Sequence, residues 1–406
     1  MARETGKALR IVIHDYAGHP FQAQLSRELA RRGYEILHLY AASNPTPKGA
    51  LARRDGDPAN FEVEGLYLAD PYQRYAYFRR WRHERAYGRL LADRIGAWRP
   101  DLVICCNTPL DALATLHRRC RRMGIGLILW VQDLLGIAAW RILRTRIPGI
   151  GALIGRYHIA KERRLARGSD ALVLITEDFV PTMRDWGVED GKLHVIENWA
   201  PLDELPPSAR DNEWARGHGL TDRLSILYTG MMGLKHNPEL VLELACHFRD
   251  RPEIATVVVS EGRGADWLAA RKADLGLDNL ILLGFQPYDQ LAKVMGSGDI
   301  LLAILEPEAG VFSVPSKVIS YLCAGRPILA AIPPENLAAK IITANEAGLV
   351  VHPNDAGAFL EAAERLIASR ALRQRLGQNA LDYATRTFNI EAIGTRFETV
   401  IRQAAG

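Results

Sequence analysis

The sequence contains few cysteines, and none has the spacing of a metal or redox motif. Five cysteines occur in 406 residues, and no two of them form a C-x-x-C pair. The adjacent Cys105 and Cys106 lie in an apolar run that is typical of a buried strand. This usage argues against a disulfide framework and a cysteine-based zinc site, and it favours free thiols in a reducing compartment.

Long apolar runs are also missing. The most apolar stretch, residues 125–140, is interrupted by two polar residues and is shorter than the roughly 20 residues that a membrane span needs. Residues 1–19 place only three apolar residues between Arg10 and His14, so they lack the apolar segment of a signal peptide. We therefore expect neither a transmembrane helix nor export, and a cytoplasmic protein.

The net charge is small but unevenly distributed. The formal net charge is +4, yet residues 1–200 contain 31 Lys and Arg against 22 Asp and Glu, whereas residues 201–406 contain 20 against 25. No nucleic-acid-binding motif accompanies the basic residues, so no nucleic-acid partner is expected. The basic amino-terminal half is instead the half expected to approach an anionic surface.

Short runs rich in Val, Ile and Leu alternate with helix-length segments along the chain. This alternation is typical of parallel sheets covered by helices, and runs that are almost wholly apolar indicate strands buried on both faces. Before a proline-rich break at 200–208, the predicted strands are 9–15, 34–41, 61–68, 101–106, 126–132, 171–176 and 193–198. After the break, the predicted strands are 225–229, 256–260, 279–283, 299–305, 327–332 and 348–352.

The alternation stops and restarts at the break, which predicts two domains of similar architecture. The expected fold class is α/β, with two Rossmann-like domains, residues 1–200 and 201–386, that face a central cleft. Apolar residues at helical spacing predict a closing helix over 390–405. The segment 387–406 is expected to pack back on the first domain.

Ligands bind at the carboxyl ends of parallel strands, so the loops that follow the predicted strands are where chemistry is expected. The first loop contains His14, Asp15, Gly18 and His19 and leads into a helix. The loop is either a substrate contact, with Gly18 assigned to the donor and the other three residues to the acceptor, or an ordinary strand-to-helix turn. The two histidines have no third ligand in a metal-binding pattern, so a metal is not expected.

Two later strands of the first half also end in polar residues. Asp133 follows a buried strand, where it is either an acid/base partner for a sugar hydroxyl or a cap for the next helix. Glu197 and Asn198 end the last strand, near the expected cleft. Asn198 is predicted to contact the acceptor, the alternative being that these side chains only fix the hinge.

The first strand of the second half ends in a glycine-rich loop. Gly230, Gly233 and Lys235 precede a predicted helix. Glycines leave backbone N–H groups open to a phosphate, and a lysine adds a compact positive charge, so the loop predicts a diphosphate contact. It is not a Walker A loop, because the G-x-x-x-x-G-K-[ST] spacing is absent.

A later loop combines carboxylates with a helix amino terminus. Carboxylates suit the hydroxyl groups of a sugar, whereas backbone amides and the helix dipole suit its diphosphate. The predicted donor-binding residues of this loop are Glu306, Ser313, Val314, Ser316 and Lys317, and Glu308 is a predicted catalytic residue.

Four segments of the chain match motifs of a known family. They are HDYAGHP at 14–20, VIENWAP at 195–201, YTGMMGLKHNP at 228–238 and VPSKVISYLCAGRPI at 314–328. Together they resemble the retaining glycosyltransferases of family 4, which have the GT-B fold. The resemblance extends over almost the whole chain and is greatest to the fucosyl- and N-acetylfucosaminyl-transferases of bacterial O-antigen and colanic acid synthesis.

The resemblance implies a nucleotide sugar held by the second domain, an acceptor held by the first, and transfer with retained configuration. A UDP-sugar is favoured, and UDP-N-acetyl-L-fucosamine and GDP-fucose are candidate donors. No metal or other cofactor is implied, because Lys235 and the amides of residues 313–317 occupy positions that balance the leaving diphosphate. Gly284, Phe285 and Gln286 occupy the positions of the family's base-binding backbone.

The sequence departs from the family pattern at three positions. Ser320 occupies the place of a ribose-binding Glu, Met231 that of a common Arg, and Gln132 that of a common His. Ser320 is nevertheless assigned to the donor site. The resemblance and the loop positions together predict the catalytic residues Lys235, Asp133 and Glu308.

The acceptors implied by the resemblance are lipid-linked glycans. Basic aromatic segments at 72–89 and 140–146 are candidate contacts with the anionic inner face of the cell membrane, or solvated helix faces. Two other functions share these features: a UDP-N-acetylhexosamine epimerase and a non-catalytic nucleotide-sugar-binding subunit of a polysaccharide assembly complex. Nucleotide release that depends on an acceptor would separate the transferase from the epimerase.

Overall fold

The computed structural model describes residues 8–43, 51–68, 77–233, 236–307 and 316–405. The chain divides into two compact units, residues 1–198 with 389–406 and residues 199–388. Each unit is built on one parallel sheet with helices on its faces.

The first unit contains a seven-stranded sheet in the order β3-β2-β1-β4-β5-β6-β7. Its strands are β1 Arg10–Asp15, β2 Glu35–Ala41, β3 Phe61–Leu66, β4 Leu102–Cys106, β5 Gly126–Val131, β6 Ala171–Leu174 and β7 Leu193–Val195. Its helices before the break are α1 Pro20–Arg31, α2 Tyr77–Trp98, α3 Leu110–Met123, α4 Leu135–Arg146, α5 Ile150–Gly168 and α6 Val180–Asp185.

The second unit contains a six-stranded sheet in the order β10-β9-β8-β11-β12-β13. Its strands are β8 Leu224–Thr229, β9 Ile254–Val259, β10 Leu280–Leu283, β11 Ile300–Ile304, β12 Ile328–Ala331 and β13 Gly348–Val351. Its helices are α7 Glu213–Gly217, α8 Pro238–His247, α9 Arg263–Leu275, α10 Leu291–Gly296, α11 Ser316–Cys323, α12 Leu337–Ala344, α13 Ala356–Ala368 and α14 Arg370–Thr387. A last helix, α15 Ile390–Ala405, belongs to the first unit.

The thirteen predicted strands and the closing helix are all present, and the α/β prediction with two Rossmann-like sheets is confirmed. Burial on both faces holds for interior strands such as β4 and β11 but not for the edges. The edge strand β3 is buried only at its end residues, Phe61 and Leu66, and β7 is only half-buried. The strand predicted over 193–198 ends at Val195, because after Ile196 bonds to Leu174 the chain leaves the sheet.

The closing helix α15 packs against the first sheet and α1. The Phe397 ring lies 4.8 Å from the ring of Trp130 on β5. Arg32, at the end of α1, donates to Glu398 over 2.8 Å, and the Tyr34 hydroxyl donates to the same carboxylate over 3.0 Å. The carboxyl-terminal segment therefore completes the core of the amino-terminal unit.

Helices α4 and α5 form a tight antiparallel hairpin that depends on glycine. A Cβ atom on Gly155 would lie 2.4 Å from Trp140 Cα, and one on Gly151 would lie 2.0 Å from the Leu143 carbonyl oxygen. Real Cβ atoms do not approach backbone this closely, so neither position accommodates a larger residue without separating the helices.

Among the described helices, none combines the length and hydropathy required to cross a bilayer.

We expect Gly155→Ala to destabilise the protein by about 1–3 kcal/mol, because the added methyl group overpacks the hairpin. The thermal unfolding midpoint measures the effect. Gly191→Ala is the control, since Gly191 lies in the same unit with open space around its Cβ position. Equal midpoints for the two variants would show that the hairpin is not closely packed.

Candidate active site

The loop after β1 is organised by a buried carboxylate. Asp15 accepts hydrogen bonds from the backbone N–H groups of Ala17, over 3.0 Å, and His19. The His19 ring lies against the same carboxylate, with Nδ1 to Oδ2 at 3.4 Å. Gly18 has a φ of 79°, which permits this turn at low cost. The loop that leads into α1 is thus held by the buried carboxylate of Asp15.

The pKa values of this pair are shifted in opposite directions. Burial opposes ionisation of Asp15, but the charge of His19 and its hydrogen bonds outweigh burial and lower the pKa of Asp15. Burial alone would lower the pKa of His19, but Asp15, and more weakly Asp133, raise it. The loop therefore favours an imidazolium beside a carboxylate, an arrangement that can bind a hydroxyl group through both partners.

His14 does not face the loop. Its side chain is fully buried, with Nδ1 lying 2.8 Å from the Thr108 hydroxyl and Nε2 lying 2.8 Å from the Tyr87 hydroxyl. Burial lowers the pKa of His14 to about 3, so the ring is neutral. The expectation of a direct acceptor contact is corrected here: both ring nitrogens are bound within the protein, and His14 supports the loop from beneath.

Asn198 is brought close to the end of β5. Its side-chain amide forms a reciprocal pair with Gln132, whose Nε2 donates to Asn198 Oδ1 over 3.0 Å. The segment that leaves β7 is therefore tied to the loop that contains Asp133.

A cavity of about 190 Å³ lies at this edge of the first sheet. Apolar residues form most of its wall, and its polar members are Asn107, Thr108, Gln132, Asp133 and Glu162. The predicted residue Asp133 thus lines a pocket inside the first unit. Its predicted catalytic role stays a prediction.

Glu162 caps α4, and the alternative reading of Asp133 as a cap for that helix stays a prediction. Glu162 lies on α5 and accepts hydrogen bonds from the backbone N–H groups of Leu135, over 3.0 Å, and Gly136, over 2.8 Å. Burial raises the pKa of Glu162 to about 7, against the lowering effect of these two bonds, and Asp133 raises it further. Sequence analysis missed Glu162, because it reads as one solvated acid in a basic helix.

In the second unit, the loops after β8 and β9 are joined by backbone hydrogen bonds. Gly230 donates to the Val259 carbonyl over 3.1 Å, and Gly264 donates to the Met232 carbonyl over 3.0 Å. A Cβ atom on Gly264 would lie 2.9 Å from the Met232 carbonyl oxygen, so a larger residue would force the two loops apart.

The expectation that Gly230 and Gly233 offer free amides to a phosphate is corrected by these contacts. The Gly230 N–H bonds to Val259, and the Gly233 N–H donates to His236 Nδ1 over 3.0 Å. Gly230 instead has a φ of 105°, a conformation that favours glycine.

Lys317 lies directly beneath this loop. Its ammonium is 3.5 Å from the centroid of the Tyr228 ring, and its Cε lies 3.8 Å from a Cβ position on Gly230. On the same helix, the Tyr321 hydroxyl accepts from the Thr229 N–H over 2.9 Å. The predicted donor residue Lys317 is therefore placed close to the glycine loop, while Ser316 starts α11 and Ser320 lies half-buried on it.

Two helix amino termini and three charged side chains, Glu239, Arg263 and Glu306, meet in a pocket of about 500 Å³. The N-cap residues of α8 and α9, Asn237 and Gly262, make no side-chain capping hydrogen bond. The pocket is lined by Asn237, Pro238, Glu239, Arg263, Gly264, Trp267 and Glu306. Arg263 was missed by sequence analysis, although its place just after a strand and at a helix start was a usable signal.

A second open pocket of about 460 Å³ follows the ends of β9 and β10. Ser260, Glu261 and Gly284 contribute to its wall. Gln286 is held beside it, since its oxygen accepts from the Trp214 indole over 3.0 Å and its amide donates to the Gly284 carbonyl over 3.1 Å. Phe285 between them is half-buried.

Four predicted site residues, Lys235, Glu308, Ser313 and Val314, lie outside the described residues. Within the described ranges, no three His, Cys, Asp or Glu side chains are grouped to hold a metal ion. The absence of a metal cofactor stays a prediction.

Comparison with known families gives the chain its assignment. Residues 18–199 match the glycosyl transferase 4-like domain, and residues 211–382 match the glycosyl transferases group 1. The chain belongs to the group 1 glycosyltransferases of family 4. It is therefore a retaining glycosyltransferase that uses a nucleotide sugar, and the resemblance seen in its motifs is confirmed at that level.

Individual relatives are distant. The Escherichia coli K12 protein WcaI, assigned as a colanic acid biosynthesis glycosyl transferase, is 26% identical over 322 residues, 77% of this chain and 76% of WcaI. HepE from Anabaena, solved with UDP and glucose, superposes with a TM-score of 0.72 at 14% identity over 97% of this chain and 99% of HepE. Sucrose-phosphate synthase from Thermosynechococcus elongatus superposes with a TM-score of 0.70 at 16% identity, over 97% of this chain and 98% of the synthase. The fold of this glycosyltransferase is GT-B.

We expect Asp15→Asn to lower the pKa of His19, because the carboxylate that raises it is lost while burial, which lowers it, remains. Titration of the His19 imidazole by NMR measures the shift. Asp133→Asn should give a smaller decrease, and Asp93→Asn, at an exposed surface pair, should give none. An unchanged His19 pKa in Asp15→Asn would contradict the assignment.

The pKa of Glu162 predicts a pH-dependent stability. Its unfolded value is 4.5 and its folded value is about 7, so between these values the folded protein retains a proton that the unfolded chain has released. Stability from this group is therefore lost as pH rises from about 4.5 to 7, by about 3 kcal/mol at most.

Unfolding free energies at pH 5 and pH 8 test this for the wild type and Glu162→Gln. The wild type should lose more stability than Glu162→Gln on going to pH 8. Glu189→Gln, at an exposed site, should behave as the wild type. Parallel pH profiles for the wild type and Glu162→Gln would refute the predicted titration.

Proposed function

We propose that this glycosyltransferase moves a sugar from a UDP-linked donor to a lipid-linked or glycan acceptor during assembly of a bacterial surface polysaccharide. The carrying observation is the pocket at the amino termini of α8 and α9, where Arg263 and Glu306 are placed together. The assignment of WcaI to colanic acid biosynthesis and the UDP bound by HepE support the substrate classes. UDP-N-acetyl-L-fucosamine is the favoured candidate donor, and GDP-fucose is the alternative.

The pocket suits the two chemical parts of a nucleotide sugar. The positive ends of the α8 and α9 dipoles attract an anion. The Arg263 guanidinium can bind two phosphate oxygens at once. Glu306 is suited to accept hydrogen bonds from sugar hydroxyls, so we assign the diphosphate to the helix ends and the sugar to the carboxylate.

The proposed reaction needs charge compensation more than acid catalysis. The bond from the anomeric carbon to the β-phosphate oxygen breaks, and the acceptor oxygen bonds to the same face of the sugar. The acceptor proton passes to the leaving diphosphate. Arg263, Lys317 and Lys235 are the cations assigned to balance that diphosphate, and no metal is assigned.

Asp133 and the Asp15–His19 pair are assigned to the acceptor. They are polar groups at the carboxyl edge of the first sheet, and Asp133 lines its cavity with Glu162. Hydroxyl groups of a glycan can bind to such carboxylates and to an imidazolium. Under this assignment, the cavity in the first unit determines which acceptor sugar binds.

Nucleotide binding tests the proposal, because a ligand that binds only the folded state raises the unfolding midpoint. UDP should raise the midpoint more than GDP, dTDP or CMP do. Arg263→Gln should weaken UDP binding about tenfold or more through the loss of a charged hydrogen bond. Arg249→Gln is the control, since Arg249 is exposed in the same unit and does not line the pocket.

Transfer itself is measured as UDP release from the donor with and without a lipid-linked acceptor. Release that requires the acceptor supports the transferase. Turnover of the donor without any acceptor would indicate the epimerase, and UDP binding without any turnover would indicate the non-catalytic subunit. No stabilisation by any nucleotide would overturn the assignment of the pocket.

A further inference from the structure

Exposed apolar side chains are concentrated on the α4–α5 hairpin, residues 135–168. In the described part of the chain, ten large apolar side chains are exposed, and six of them lie between residues 142 and 157. These six are Ile142, Ile147, Ile150, Leu153, Ile154 and Tyr157. Leu153 is 69% exposed and Ile150 is 64% exposed. Single exposed apolar residues are ordinary, but a contiguous group of this kind marks an interaction surface.

The exposure is a consequence of how the hairpin is built. Gly136, Gly151 and Gly155 bring the two helices into backbone contact, with Gly136 facing Ile159 and Glu162. The small residues occupy the shared face of the two helices, so the six exposed apolar residues point away from that face. These six residues are called the apolar tip. The apolar tip is thus a fixed feature of a closely packed element.

The same hairpin is strongly basic. Residues 135–168 contain eight Lys and Arg and one acid, Glu162, which is buried as the cap of α4. Arg144 and Arg146 lie next to the apolar tip and are exposed. No exposed carboxylate on the hairpin offsets these charges.

Further along α5, five arginines line an open groove of about 650 Å³. They are Arg121 from α3 and Arg156, Arg163, Arg164 and Arg167 from α5. Residues three and four apart share a helix face, so Arg156, Arg163 and Arg167 form one stripe beside the apolar residues of the first turns. Guanidinium groups are suited to bind phosphate.

An apolar tip with an adjoining row of arginines matches the interface of an anionic bilayer. Amphipathic helices of this kind bury their apolar side about 5–10 Å into the boundary between headgroups and acyl chains, and anionic lipids attract their basic residues. A second copy of the chain fits less well, because its arginines would face those of the first copy.

We propose that the α4–α5 hairpin is a membrane-docking surface, whose apolar tip enters an anionic leaflet and whose arginine groove binds the phosphates of lipid headgroups. The inference goes beyond the transfer reaction and does not depend on which sugar is moved. Two basic segments, 72–89 and 140–146, are candidate membrane contacts from the sequence. The proposal assigns the contact to 140–146 and extends the contact surface along α5.

Flotation of the full-length protein with lipid vesicles tests the proposal. Vesicles of phosphatidylcholine with an equal amount of phosphatidylglycerol should bind the protein, and vesicles of phosphatidylcholine alone should bind it far more weakly. Ile150→Ser/Leu153→Ser should reduce the partition coefficient about tenfold or more, because two apolar side chains no longer enter the leaflet. Leu275→Ser, at an exposed apolar residue of the second unit, is the control.

The arginine groove is tested separately. Arg156→Gln/Arg164→Gln/Arg167→Gln should reduce binding to the anionic vesicles about a hundredfold, at about fivefold for each charge removed from the surface. Arg249→Gln/Arg271→Gln/Arg375→Gln removes the same charge from exposed sites of the second unit and should leave binding nearly unchanged.

Three outcomes would overturn the proposal: wild-type protein that does not float with anionic vesicles, hairpin variants that bind as the wild type does, or equal losses in the control variants. A dimer in solution that Ile150→Ser/Leu153→Ser converts to a monomer would show that the tip binds a second copy instead. The rise in the unfolding midpoint caused by UDP should be unchanged in the hairpin variants. This measurement separates a loss of membrane binding from a folding defect and from a failure of the proposed donor site.

Discussion

Parallel strand pairing is the constraint on which the rest of this structure depends. Every described pairing in both sheets is parallel, so in each unit the carboxyl ends of the strands lie along one edge. The following helices begin at that edge and direct the positive ends of their dipoles toward it. In the first unit, Asp15 binds N–H groups of the loop that leads into α1, and Glu162 satisfies the amino end of α4. In the second, the amino ends of α8 and α9 meet in one pocket.

Glu162 connects features of the first unit that are distant in sequence. Its carboxylate caps α4, lines the cavity beside Asp133 and lies against Gly136, where the two helices of the hairpin meet. The position of the cavity wall and the packing of the hairpin therefore depend on one side chain. A carboxyl group that titrates near neutrality is an unusual structural cap, and it is held by two backbone N–H groups rather than by a cation.

The fold could be predicted from sequence because its signal is local. Buried parallel strands are apolar runs bounded by polar loops, and the thirteen runs sufficed to place both sheets. The errors lie at the edges, where strands such as β3 and β7 are half-exposed and pairing, not composition, decides where they end.

The site was less predictable, because its contacts are not local. The loops after β1, β5 and β8 could be identified from strand positions, but the hydrogen-bond partners of their polar groups could not. The Gly230 amide is bound by Val259 from another strand, and His14 is enclosed by Thr108 and Tyr87 from distant segments. Arg263 and Glu162 look like solvated charges in sequence and line pockets only through the elements that meet around them.

The hairpin also sets a length. Helix α4 has 12 residues, and at 1.5 Å per residue it extends about 18 Å. Its first residue, Leu135, lines the cavity, and its last lies at the exposed tip. Since glycine contacts with α5 hold the helix in place, the tip cannot approach the cavity. The hairpin therefore holds its exposed tip and the cavity end of α4 about one short helix apart, whichever way the hairpin lies against another surface.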